Sequence, residues 1–110
     1  MSVARLTKVA RKDTAAVSVE DLVAASVALG MHIVLDLVFF NGDAAMTIEL
    51  MHGSGATWTD ATGIIGASFP VDGGFVSERM NLHLPSNQEL RWIRTGTGNS
   101  YITVLYHLEA

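Results

Sequence analysis

A chain of 110 residues holds one domain and one hydrophobic core. It has no cysteine, which excludes disulfides and Cys-type zinc sites. Apolar residues make up 49% and charged residues only 16%, so some apolar surface is left over for a partner, yet no run reaches the roughly 18 apolar residues of a membrane helix.

The chain opens on a basic segment. Arg5, Lys8, Arg11 and Lys12 are four of the seven basic residues, and no acid lies among them. From Asp13 onward three basic residues face eleven acidic ones. Residues 1–13 therefore read as a basic N-terminal arm and residues 14–110 as the folded domain. No apolar run follows the arm, so it is not expected to be a signal peptide. An arm of this charge on an acidic body suits an acidic protein surface, on a sister copy or on another partner. Four charges without interleaved aromatics make a poor nucleic-acid footprint, and neither nucleic acid nor membrane is expected as a partner.

Val17 to Ala28 has the only helical periodicity, with Ser18, Glu20 and Asp21 placed to start one helical turn, but the same stretch also reads as an irregular strand, the reading preferred beyond Ala24. Met31 to Phe40 is the strongest strand. Strict alternation puts Met31, Ile33, Leu35, Leu37 and Phe39 on one face and His32, Val34, Asp36, Val38 and Phe40 on the other. Asn41-Gly42-Asp43 reads as a tight hairpin turn into a strand at Ala45 to Met51, with Met46, Ile48 and Leu50 inward. A polar loop, His52 to Thr62, carries Trp58. Strands are then expected at Gly63 to Val71, Phe75 to Leu84, Glu89 to Thr95 and Tyr101 to Leu108, with Gly96-Thr97-Gly98-Asn99 as a second hairpin signal. Six or seven short alternating strands, with no βαβ rhythm, predict an all-β protein: an antiparallel β-sandwich or jelly roll.

A two-layer sandwich needs one apolar face per sheet. Val34, Val38 and Phe40 on the long strand, and Tyr101 and Leu105 on the last, leave a second face apolar. The N-terminal segment or a neighbouring subunit must cover that face; in the second case these residues, with Trp58 in its loop, are the expected subunit interface of a homo-oligomer.

Catalytic signatures are missing. Gly53-Ser54-Gly55 lacks the lysine and helix of a phosphate loop, and no Gly-x-Ser-x-Gly elbow occurs. Asp36, Glu49 and Glu89 are expected to pair across strands with Arg79, Arg91 or Arg94. None of His32, His52, His83 and His107 has another histidine or acid at a ligating local spacing, since residues two apart on one strand face sit ~6.6 Å apart. They read as exposed or rim histidines. No enzyme activity, metal or cofactor is expected.

The order of features carries a resemblance. Ala25-Ser26-Val27-Ala28-Leu29-Gly30 leads into a long apolar strand ending Phe40-Asn41-Gly42, and a second strand ends Ile48-Glu49-Leu50. A polar loop, a Phe-containing strand, Leu82-His83-Leu84-Pro85-Ser86-Asn87-Gln88-Glu89-Leu90 and a last strand after a Gly-Asn loop follow. Over residues 22–109 this resembles the head decoration, or cement, proteins of tailed bacteriophages. The resemblance implies a cofactor-free structural subunit, a dimer or trimer, that sits on the outer capsid surface of the virion and bridges neighbouring major capsid proteins. Such a subunit passes through the host cytoplasm during assembly. A tail or fibre-base component, or a carbohydrate-binding sandwich using Trp58 and Tyr101, fits the same strands.

Overall fold

A computed structural model describes residues 7–14, 20–23, 30–53 and 62–110. Its nine strands are β1 (Lys8–Thr14), β2 (Glu20–Val23), β3 (His32–Gly42), β4 (Met46–Gly53), β5 (Thr62–Phe69), β6 (Gly74–Val76), β7 (Leu82–His83), β8 (Glu89–Gly96) and β9 (Ser100–Glu109). The first sheet runs β1-β9-β3-β6, with the short β7 also on β3, and the second runs β2-β8-β4-β5. All pairs are antiparallel. With β7 set aside, this is the eight-strand jelly roll: two four-stranded sheets whose connections pass repeatedly from one layer to the other. No helix among the described residues is long and apolar enough to cross a membrane.

Both turns read as hairpins are instead arches between the layers, because β3 pairs with β9 and β4 with β8. The arches lie side by side and clasp. Asp43 N donates to the Asn99 carbonyl at 3.1 Å, and Asn99 N donates to Asp43 Oδ1 at 2.7 Å. Gly98, at φ 84°, allows this approach, since a Cβ there would strike the Asp43 carboxylate. Glycine marks a sharp turn in the sequence, but only the partner strands decide whether the turn stays in one sheet.

The basic segment is not wholly an arm. From Lys8 onward it is β1, in register with β9 from Lys8 opposite Tyr106 to Thr14 opposite Ser100. Backbone pairing with a long partner strand and the inward Ala10 hold it there. Lysine and arginine are well placed on this edge strand, where charge discourages stray pairing. Of the two readings of 17–28, helical turn or irregular strand, the described part Glu20–Val23 is a strand.

The long strand departs from alternation at one residue. Leu35 pairs with Tyr106 and Leu37 with Leu105, so Asp36 is an extra residue, a β-bulge. Past it every side chain changes face relative to strict alternation. Ile33, Leu35, Val38 and Phe40 are all buried in the core, while Leu37 and Phe39 are only half-buried and face outward. Val38 and Phe40 are therefore core residues and not the expected interface.

The bulge also breaks the strand expected over Phe75 to Leu84 into β6 and β7. Between them the chain follows β3 irregularly. Ser77 N donates to the Val38 carbonyl and Ser77 Oγ accepts from Val38 N, both at 2.9 Å. Met80 N donates to the carbonyl of Asp36 itself.

The core fills the space between the sheets with Ile33, Leu35, Val38 and Phe40 against Ile48, Leu50, Leu90 and Trp92, closed by Ile102, Val104 and Tyr106. Burial pushes the Tyr106 phenol above its usual 10.0. The folded state then holds that proton more tightly than the unfolded chain does. The resulting stability is complete below about pH 10 and is lost as pH rises further. Between about pH 9 and about pH 11, roughly one unit either side of that value, the urea midpoint should therefore fall more for the wild type than for Tyr106→Phe.

Candidate docking face and histidine cluster

The two outer faces of the sandwich differ. On the second sheet the outward positions are mostly polar: Thr47 Oγ1 bonds Ser68 Oγ at 2.6 Å, Arg91 pairs with Asp21 at 2.6 Å and Glu89 at 2.9 Å, and the apolar Met51 and Ile93 among them are half-buried. On the first sheet, cross-strand register lines up Val9, Leu105 and Leu37 in one row. The next row is Arg11, Thr103, Phe39 and Val76, and Tyr101 follows beyond it. Val9 is 58% exposed, Val76 62% and Tyr101 39%. A shallow groove of about 210 Å³ lined by Thr7, Asp36, Leu37, Arg79, Leu105 and His107 borders this apolar stripe. One layer thus presents a mostly polar face and the other an exposed apolar stripe rimmed by the basic edge β1.

The residues expected in the interface divide. Tyr101 and Leu105 lie on this outer face, and the bulge substitutes Leu37 and Phe39 for Val38 and Phe40. Val34 also points outward but is fully buried, flanked in register by His83 on β7 and His107 on β9. Trp58 and Arg5 lie outside the described residues. Lys8 is half-buried on β1, and Arg11 and Lys12 are exposed there. Of the arginines expected to pair across strands, Arg91 does so with Asp21 on β2 and meets Glu89 only along its own strand β8; Arg94 is buried and donates to the Gly96 carbonyl at 3.1 Å.

Above Val34 the sheet gathers a cluster that the spacing of its members conceals. His32 and Glu109 are directly opposite on β3 and β9, and His83 on β7 stands one step along on the other side of β3. His32 Nε2 lies 2.9 Å from His83 Nδ1, with the rings 5.1 Å apart. His32, His83 and Glu109 each offer a ligand atom, and these atoms lie within 4.8 Å of one another. Behind them His107, 4% exposed, bonds Glu109 Oε2 from Nε2 at 2.7 Å and Asp36 Oδ2 from Nδ1 at 3.1 Å. The bulge is what turns Asp36 toward His107. Along the sequence these histidines read as separate exposed or rim residues. They are 24 or more positions apart from His32 to His83 to His107, and only the pairing of β7 and β9 with β3 unites them. The fourth, His52, is elsewhere, bonded to Gln88.

Topology and register thus define a jelly-roll β-sandwich with one apolar outer face. No protein-family model matches the chain, and no curated protein is recognisably similar to it in sequence. Among solved structures, the Yersinia pseudotuberculosis-derived mitogen superposes with a TM-score of 0.50 at 10% identity, over 94% of this chain and 86% of the mitogen. PirA gives a TM-score of 0.46 at 15% identity, over 92% of this chain and 84% of PirA. An infectious bursal disease virus structure (Gt strain) gives 0.30 at 13% identity, over 97% of this chain and 28% of the viral one. At 10% identity the likeness to the mitogen speaks to the β-sandwich alone, and the two weaker fits add nothing to it.

Proposed function

We propose that this chain is a structural subunit of a virus particle: a cement-type protein that coats the outer capsid surface, bridges major capsid subunits and has no catalytic role. The observation that carries the reading is the contrast between the outer faces: an exposed apolar stripe on the first sheet, and a mostly polar face on the second where Met51 and Ile93 are half-buried. A lone sandwich gains nothing from Val9, Leu37, Phe39, Val76, Tyr101 and Leu105 on its outside, whereas an assembling one buries them. The apolar face is assigned to a second copy of the chain. The basic edge Lys8, Arg11 and Lys12 is assigned to an acidic capsid surface, which it would find by charge. The order of features that resembles phage head decoration proteins supports the reading, and jelly rolls are a common architecture of capsid domains.

The test is occupancy on particles. Purified virions of the source should carry the protein in a fixed, symmetry-related ratio to the major capsid protein, and Arg11→Glu/Lys12→Glu should lower that occupancy. Particles that lack it, or carry it in no fixed ratio, overturn the reading.

A further inference from the structure

We propose that His32, His83 and Glu109 form a binding site for a divalent transition-metal ion of the zinc class. The three side chains come from three neighbouring strands on one face, with β3 in the middle. Two ligands on a tetrahedral zinc, each at 2.0–2.1 Å, stand about 3.3 Å apart. His32 Nε2 and His83 Nδ1 are already 2.9 Å apart, and one carboxylate oxygen completes a set whose members all lie within 4.8 Å. Small side-chain rotations bring such a set onto one ion.

The surroundings look built for the purpose. A ligating carboxylate is ordinarily held by an outer partner that fixes its direction. Here that partner is His107, buried, bonded to Glu109 on one ring nitrogen and to Asp36 on the other. The Asp36 bulge, which interrupts the longest strand of the fold, supplies the last member of that chain. Two imidazoles and one carboxylate suit zinc and its neighbours, whereas magnesium and calcium take oxygen donors. Three protein ligands leave a fourth position for water or for a group from a docked molecule.

The site has a structural consequence. β7 is only two residues long, with both side chains exposed. A metal shared by His83, His32 and Glu109 pins it to β3 and ties down the end of β9. In a cysteine-free domain of this size, such a cross-link takes the place that disulfides fill elsewhere.

The experiment uses the full chain stripped with EDTA and titrated with Zn²⁺ alone in a calorimeter. One ion per chain is expected, together with a rise in Tm that chelator reverses and visible absorption bands when Co²⁺ is used instead. His83→Ala and Glu109→Gln should each weaken binding by about 100-fold or more, and His107→Asn by about 10–100-fold, the usual cost of removing an outer-shell partner. His83 is exposed on β7, so its variant should keep the apo Tm and circular dichroism of the wild type. If a variant does not fold, the imidazole resonances of the wild type decide instead: Zn²⁺ should shift those of His32 and His83 and spare those of His52. Absence of uptake at millimolar Zn²⁺, or uptake that His83→Ala and Glu109→Gln leave unchanged, overturns the proposal.

Discussion

Val38→Asp is expected to unfold the protein, whereas Leu37→Asp next to it leaves the protein folded. Val38 has no exposed surface and packs with Ile33, Leu35 and Phe40 in the core. A carboxylate there loses its hydration with no partner in reach of it among these apolar neighbours, and the site loses a packed side chain. The combined cost exceeds about 4 kcal/mol, against a total stability of roughly 5–15 kcal/mol for a small domain. Leu37 lies on the outer face in the row with Leu105 and Val9, where a carboxylate stays in water. Strict alternation along Met31 to Phe40 predicts the opposite pair of outcomes, so the experiment isolates the bulge at Asp36. Urea titration followed by far-ultraviolet circular dichroism reads it directly: a cooperative transition for Leu37→Asp and none for Val38→Asp. The reverse pattern would place Leu37 inside and remove the outer apolar face.

The folded Leu37→Asp variant serves the second large prediction. If the apolar face is where a second copy docks, Leu37→Asp combined with Leu105→Glu places carboxylates at its centre on both partners. Central apolar contacts are worth at least about 2 kcal/mol each, and like charges facing one another add to the loss. The dissociation constant of the self-association should rise by about 30-fold or more. The matching change on the polar outer face, Ser68→Glu, should leave it unaltered. Equal loss for both variants would mean that net charge, and not this face, governs the association.

Much of the fold is legible in the chain. Period-two alternation in Ala45 to Met51, Glu89 to Thr95 and Tyr101 to Leu108 gives strands whose inward residues, Met46, Ile48, Leu50, Leu90, Trp92, Ile102, Val104 and Tyr106, are the core residues of the structure. The leftover apolar face is legible too, but not its membership. A single extra residue at Asp36 reverses the phase beyond it, and nothing local distinguishes a bulged strand from a regular one of the same composition. Gly42 and Gly98 announce turns without revealing that they cross between layers, because that depends on which strands pair far away in sequence. The Lys8–Thr14 strand was hidden for a different reason. Its charge suggests a solvated arm, and only an edge position in a sheet reconciles so much charge with backbone pairing. The histidine cluster needs β3, β7 and β9 side by side before His32, His83 and Glu109 meet, and no spacing along one strand encodes that.

Sedimentation equilibrium of the unmodified chain, from low to about 100 μM, weighs the assembly reading most directly. A fitted mass of two or three chains, falling to one in the Leu37→Asp/Leu105→Glu variant, is what a self-docking jelly roll gives. A single-chain mass at every concentration, the same for wild type and variant, would contradict it.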